Sequence, residues 1–248
     1  MKKKTKHQKS ELIFGFHPIH ELLRAKRRQV IQVYTTKPEP KAFRSLKSLI
    51  PAHVPITHVK RPYLTELAGS SEHQGIVAQV TPFGFQKHCF SPDKHPFIVM
   101  VDSVQDTRNL GAIIRSAYCT GASGIVITSK NCAPINASTI KASAGLLEYL
   151  PVYKTSTSAI AAQELKKAGY DLYMAALGGK DATTVTYSTP LCVVIGNEET
   201  GITPAVLQQG HHVTLPQQTA GISYNASVAA GILLFLVATQ NNVISTNH

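Results

Sequence analysis

From residue 97 onward the chain is built of short apolar runs separated by helical segments, and this constrains its fold more than any other feature. Phe97 to Val101, Gly124 to Thr128, Asp171 to Leu177, Leu191 to Ile195 and His212 to Leu215 lack the strict polar–apolar alternation of a strand with one wet face. Runs of this kind predict strands covered on both faces, as in parallel sheets. Between them, Asn109 to Thr120, Ala137 to Leu147, Ser158 to Ala168 and Asn225 to Thr239 carry helical spacing. The alternation predicts an α/β domain over residues 97–248, a mostly parallel sheet with helices on both faces.

Ahead of it, residues 11–80 read as a smaller α/β unit. Helical spacing covers Pro18 to Arg28, through Ile19, Leu22 and Leu23, and Lys41 to Ile50, through Phe43, Leu46 and Leu49. Val30 to Thr35, Val54 to Val59 and Gly75 to Val80 read as strands. Residues 81–96, with Pro82, Gly84, Pro92 and Pro96, form a linker, and residues 1–10 a basic disordered tail. Charge follows the same division. Up to Lys94 there are 17 Lys and Arg against 6 Asp and Glu, and from His95 onward 8 against 8, so the entire net charge of +11 lies in front. A basic front half suits a polyanion, and Arg24, Arg27, Arg28, Lys41 and Arg44 lie on the polar sides of its helices; a merely solubilising surface is the alternative.

Other classes are disfavoured. The longest apolar run, Ala226 to Ala238, falls short of the ~18 to 20 residues that cross a bilayer, and the basic residues form no single amphipathic helix, so no membrane role is expected. Met1 to Lys9 has five lysines and no apolar stretch behind them, unlike a secretory signal. Cys89, Cys119, Cys132 and Cys192 are widely spaced, which signals neither a disulfide framework nor a metal site and fits a reducing cytoplasm.

Ligands of open α/β sheets bind beyond the carboxyl ends of the strands, which directs attention to three segments. The first runs from Asp102 to Arg115, where Arg108, Gly111 or Ala112, and Arg115 share a helix face; Gly111 would let an RNA backbone approach between the arginines, and Asn109 could be a simple cap. The second, Gly196 to Pro204, combines glycines for a tight turn with a helix start at Thr203-Pro204. The third runs from Leu215 to Asn225 into a helix without a polar face, which needs cover from its own subunit or a partner, with small residues such as Ala230 facing outward. GxGxxG and P-loop lysine motifs are absent, so neither dinucleotide binding nor nucleotide hydrolysis is supported.

In order and spacing the three segments resemble the signature motifs of the SpoU/TrmH family of RNA ribose 2′-O-methyltransferases, in the SPOUT superfamily. Arg108-Asn109-Leu110-Gly111 through Arg115 resembles the first motif, Gly196-Asn197-Glu198 through Gly201 the second, and Ser223-Tyr224-Asn225-Ala226-Ser227-Val228-Ala229 the third. The front unit, with Ile13-Phe-Gly-Phe-His17 and His73-Gln-Gly-Ile76, is similar to the RNA-binding domain of the subgroup that modifies a guanosine of 23S ribosomal RNA. The resemblance implies a SPOUT-type α/β domain with a deep trefoil knot, S-adenosylmethionine as methyl donor, RNA as acceptor, no metal, and a homodimer through the rear domain. It implies that Asn109 and Arg115 address the acceptor nucleotide, that Glu198 orients Arg115 or the loop, and that Ser223 and Asn225 complete the catalytic site. Ala175, Ala176, Leu177, Gly196, Asn197, Gly201, Leu215, Tyr224 and Asn225 match the donor-binding positions, and Arg108 joins the RNA contacts. The sequence departs from the family pattern at Pro216-Gln217-Gln218-Thr219 and at Tyr224 and Ala226, which bear on the donor pocket's shape. A transfer RNA acceptor and a non-catalytic RNA-binding protein are the competing readings.

Overall fold

The computed structural model describes residues 10–219 and 223–244; the basic tail expected over residues 1–10 lies, apart from Ser10, outside them. Chain contacts divide the protein into two units, Met1–Gly84 with Ile135–Glu148, and Phe85–Pro134 with Tyr149–His248. The first unit opens with β1 (Glu11–Phe14), α1 (Phe16–Ala25), β2 (Val30–Thr35), α2 (Phe43–Lys47), β3 (Ile56–His58), α3 (Arg61–Ala68) and β4 (Ile76–Val80). The second begins with β5 (Phe97–Val101), α4 (Thr107–Cys119) and β6 (Gly124–Thr128). The chain then contributes α5 (Ala137–Ala142) to the first unit. It continues in the second as β7 (Val152–Thr155), α6 (Ser158–Lys167), β8 (Asp171–Asp181), β9 (Leu191–Ile195), α7 (Pro204–Leu207), β10 (His211–Thr214) and α8 (Ala226–Gln240).

In the first unit the sheet order is β1-β4-β2-β3, with β4 antiparallel to β1 and β2 and β3 parallel to β2. Ile19, Leu22 and Leu23 supply the buried stripe of α1. That helix ends three residues before the expected Arg28 because Lys26 turns left-handed (φ 54°) and returns its N–H to the Leu22 carbonyl. Similarly, α5 stops at Ala142 rather than Leu147, since Ala144 (φ 53°) and Gly145 (φ 83°) leave the helical region. Gly145 is required there: a Cβ would lie 2.8 Å from the Pro18 Cα. The short strand β1 and the helix α3, which starts at Arg61-Pro62 and fully buries only Leu64, carry too little periodicity to be read from sequence.

Arg28 holds the charged centre of this unit. Only 7% exposed, it donates from Nε to the Thr81 carbonyl (2.8 Å), from Nη1 to Glu148 Oε1 (3.0 Å) and from Nη2 to Glu11 Oε2 (2.6 Å). Its guanidinium also lies over the Phe83 ring, 5.9 Å from the centroid. The expectation that Arg28 faces RNA is therefore corrected, because all three nitrogens are engaged inside the unit; Arg24, Arg27, Lys41 and Arg44 are exposed. Glu148, 1% exposed, has its carboxyl pushed above the ordinary range by burial, against the pull of Arg28. The pair ties the segment after α5 to the strand that begins the unit.

The second unit has one six-stranded sheet, ordered β10-β8-β9-β5-β6-β7, with every pairing parallel. All residues of β5, β6 and β9 are buried, as their unbroken apolar runs require. β8 is longer than expected and breaks register against β10: His212 pairs with Met174, but Val213 pairs with Lys180. Residues 175–179 therefore bow out of the ladder. Thr214 pins them, its Oγ1 donating to the Ala176 carbonyl (2.5 Å) and accepting from the Gly179 N–H (2.6 Å).

Two features prepare the strand ends for a site. Asp102, fully buried after β5, continues the β5/β9 ladder through its N–H to the Ile195 carbonyl (2.8 Å). Its Oδ1 accepts from the hydroxyls of Ser103 (3.0 Å) and Ser158 (2.5 Å), and its Oδ2 from the Thr203 N–H (2.7 Å). Helix α8 packs against α4, burying Ala230, Leu233, Leu234, Val237 and Ala238. Ala230 thus faces inward, not outward, and the exposed side carries Val228 (49%), Ile232 (38%) and Phe235 (55%). Among the described residues, no helix is long and apolar enough to cross a membrane.

Two substitutions test these contacts. Arg28→Ala leaves buried Glu148 uncompensated and should cost about 3 to 5 kcal/mol, read as a lower urea midpoint for the first unit's transition; Arg28→Lys should not restore it, because one ammonium cannot span the three acceptors. Asp102→Asn keeps the shape but leaves a single acceptor oxygen where the two carboxylate oxygens accept from three donors. Amide exchange at Thr203 should quicken at least about tenfold, equivalent to ~1.4 kcal/mol of lost protection, and unchanged exchange would show that the carboxylate does not hold the loop.

Candidate active site

Three polar side chains from three segments form one chain of hydrogen bonds. Asn109, in the first turn of α4, donates its Nδ2 to Glu198 Oε1 and accepts at Oδ1 from Asn225 Nδ2 (3.2 Å). Asn225 is the cap of α8, accepting at Oδ1 from the N–H groups of Ser227 (2.9 Å) and Val228 (3.4 Å) and from the Ser227 hydroxyl (2.6 Å). A carboxylate only accepts, so Glu198 sets the direction of the whole relay. Asn109 is free for this contact because it is not a cap: Asp106 caps α4, accepting from the Arg108 N–H (2.7 Å).

The loop bearing Glu198 is folded by its own backbone. Asn197 and Gly201 exchange both N–H to carbonyl bonds (3.0 Å each), and Asn197 Oδ1 accepts from the N–H groups of Glu199 (2.9 Å) and Thr200 (3.1 Å). Gly201 turns left-handed (φ 70°), while a Cβ on Gly196 would lie 2.4 Å from the Gly201 carbonyl carbon. Asn197 Nδ2 donates to the Ser103 carbonyl (2.9 Å), and Asp102 holds Thr203. The loop is thus anchored at both ends to the turn after β5.

Beside the relay lies a cavity of about 410 Å3, a size suited to one small ligand. Ala175, Ala176 and Leu177 of the bowed β8 segment, Gly196, Asn197, Glu198 and Gly201 of the loop after β9, Leu215 and Gln217 after β10, and Ser223 and Tyr224 before α8 line it. Apolar walls come from Ile195, Ile202, Val213 and Leu233. None of the described lining residues is Lys, Arg or His, so the cavity offers no cation to a phosphate. Small residues, backbone groups and the Glu198 and Glu199 carboxylates suit instead a flat nucleoside with a positive centre.

Of the expected donor-site residues, Ala175, Ala176, Leu177, Gly196, Asn197, Gly201, Leu215 and Tyr224 line this cavity, whereas Asn225 enters the relay at its edge. Ser223 also lines the cavity. Arg115 lies on the exposed side of α4 and, like Arg108, makes no ion pair among the described residues; Glu198 takes Asn109 as its partner instead. Gly111 is buried, so the residue between the arginines is half-buried Ala112. Sequence reasoning missed Asp102, Ser158 and Thr214. The first left one visible signal, a carboxylate directly behind an apolar strand. Burial raises the thiol pKa of Cys89, Cys132 and Cys192, so none of the three supplies an activated nucleophile.

Comparison with known proteins agrees with this layout. A family model described as the SpoU rRNA methylase family matches residues 96–235, and one described as RNA 2′-O ribose methyltransferase substrate binding matches residues 12–86. A Synechocystis protein named as a tRNA/rRNA methyltransferase is 33% identical over 185 residues, 71% of this chain and 48% of its own length, so the match spans about half of that relative. YacO of Bacillus subtilis, named as a TrmH family tRNA/rRNA methyltransferase, is 31% identical over 199 residues, 77% of this chain and 80% of its own. The fold is also that of AviRb from Streptomyces viridochromogenes, a SpoU methyltransferase solved with AdoMet, at a TM-score of 0.76 and 20% identity over 94% of this chain and 91% of the other. By motif, topology and extent of match, the chain belongs to the SpoU rRNA methylase family.

Proposed function

We propose that the protein transfers a methyl group from S-adenosylmethionine to a ribose 2′-hydroxyl of RNA, with a guanosine of 23S ribosomal RNA in the cytoplasm as the acceptor. The single observation that carries the reading is the cavity without cations standing next to the Glu198–Asn109–Asn225 relay. The substrate-binding model over residues 12–86 and the AdoMet held by AviRb support the choice of acceptor and donor. The rRNA methylase model and the resemblance of the front unit favour ribosomal over transfer RNA.

When bound, S-adenosylmethionine supplies an electrophilic methyl carbon on a sulfonium. Ala175 to Leu177, Gly196, Asn197, Gly201, Leu215 and Tyr224 hold the donor, largely through backbone. The relay fixes Asn109 and Asn225 at the side where an acceptor ribose enters, with Ser223 in the cavity lining beside them, and alignment of this kind contributes roughly 7 kcal/mol or more to such displacements. Arg115, which pairs with no carboxylate among the described residues, clamps an RNA phosphate and stabilises the developing alkoxide. It is not the base, since a guanidinium does not give up its proton in a protein; the 2′-hydroxyl proton leaves to a phosphate oxygen or water. Arg24, Arg27, Lys41, Arg44 and Arg108 contribute further phosphate contacts. The trefoil knot implied by the family belongs to the same proposal.

A homodimer completes it. Val228, Ile232 and Phe235 form an exposed apolar stripe at helical spacing on α8, beside the cavity wall that Ala226, Ala229 and Leu233 provide.

Calorimetry with the full chain should show S-adenosylhomocysteine binding, and Arg115→Ala should abolish methyl transfer to RNA while leaving that affinity within a few fold. Near-normal turnover would remove Arg115 from the site, and absence of binding by the folded protein would leave a non-catalytic RNA binder. Phe235→Glu places a charge in the proposed contact, costing several kcal/mol, and should convert a dimer to a monomer in sedimentation. A wild-type mass near 26.8 kDa at micromolar concentration would refute the dimer.

A further inference from the structure

The two front-unit segments that resemble the rRNA-modifying subgroup meet at one side chain. Gln74 Oε1 accepts from the Phe16 N–H (2.9 Å), 58 residues away in sequence, and from Lys141 Nζ (3.0 Å), which α5 brings into the same unit. Gln74 is left-handed (φ 54°), a conformation that residues with a Cβ avoid unless their surroundings impose it. His73, fully buried, imposes it here: its Nδ1 accepts from the Gly75 N–H (2.9 Å), and its Nε2 lies 3.1 Å from the Thr65 hydroxyl. At Gly15 (φ 91°) a Cβ would lie 2.6 Å from Lys141 Nζ, so the glycine clears the space that the ammonium occupies.

The ammonium is held by an amide oxygen rather than by a carboxylate. Among the described residues, Lys141 forms no ion pair, and the Nε2 amide of Gln74 has no hydrogen-bond partner. Burial lowers the pKa of Lys141 from the ordinary lysine value, with Glu72 near enough to oppose the shift. Two donor groups therefore sit side by side, with unused hydrogens on both, in the unit that carries 16 Lys and Arg against 6 Asp and Glu. A polyanion is the partner such a surface fits. Next to them, Phe16 stacks on His20 (5.5 Å between centroids), and His17 meets Phe16 edge-on (5.1 Å), an aromatic surface of the kind on which single-stranded bases stack.

We infer that Lys141 Nζ and Gln74 Nε2, in the space opened by Gly15, form a binding site for a phosphodiester of the substrate RNA. The site deepens the proposed function and rests on RNA being the substrate. It also gives the excursion of residues 135–148 a role, since that segment delivers the lysine.

Fluorescence anisotropy of the full chain with a single-stranded RNA of about 12 nucleotides, at several salt concentrations, tests it. Lys141→Gln should flatten the plot of log affinity against log salt by about 0.7, one phosphate contact's worth, and weaken binding at low salt roughly five- to tenfold. Gln74→Glu keeps acceptors for Phe16 and Lys141 but faces the phosphate with a carboxylate. It should weaken RNA binding at least as much while leaving the melting temperature unchanged or raised. Wild-type slope and affinity in both variants would overturn the site yet leave the proposed methyl transfer standing, with donor binding measured in parallel. Failure of the wild-type chain to bind any RNA would overturn both.

Discussion

The cavity-bearing end of the second unit depends on a buried carboxylate that pairs with no cation among the described residues. Asp102 is stabilised by hydrogen bonds from the hydroxyls of Ser103 and Ser158 and the backbone of Thr203. A charge in that position is tolerable because each oxygen is satisfied. It joins the end of β5, the first turn of α6 and the end of the loop after β9, which otherwise belong to separate crossovers. Glu198, Asn197 and Gly201 all lie on that loop, so the geometry of the relay follows from an anchor that takes no part in it. The opposite end, where the loop leaves β9, is tied by Asn197 to the Ser103 carbonyl, so one turn after β5 supports both ends.

How much of this was legible follows from the range of the interactions concerned. The strands of the parallel sheet were readable because burial on both faces removes polar positions from the run itself, a purely local mark in β5, β6 and β9. The long, bowed β8 was not: its break depends on Thr214, more than 30 residues later, pinning Ala176 and Gly179. Arg28 resembled every other arginine in a basic helix–turn segment. Only the tertiary placement of Glu11 and Glu148 separates it from exposed Arg24 and Arg27. Helix α5 showed the right periodicity, but a periodicity does not say which core a helix serves, and α5 packs on β1 of the first unit.

The roles of the asparagines show a similar limit. Asn109 and Asn225 were equivalent at the level of sequence, each a polar residue near a helix start. The structure separates them through a neighbour. Asp106 takes the cap of α4, leaving both ends of the Asn109 amide to bridge Glu198 and Asn225, while Asn225 caps α8 with its oxygen and spends only its nitrogen on the relay. A cap and a relay member can be the same residue, because an amide offers opposite polarities at its two ends.

The departures from the family pattern at the cavity can be understood from what the cavity is made of. Seven of its 22 described lining residues are glycine or alanine, and at these positions its shape follows from register and turns rather than from a side chain. Gln217 and Tyr224 both line it. Tyr224 brings a contact of its own, its hydroxyl donating to the Pro216 carbonyl (3.2 Å), which links the loop after β10 to the approach to α8. At Gly196 the neighbouring backbone leaves no room for even a methyl group. Tolerance to substitution around this site therefore follows the space behind each Cβ, which at Gly196 is closed whatever ligand the cavity receives.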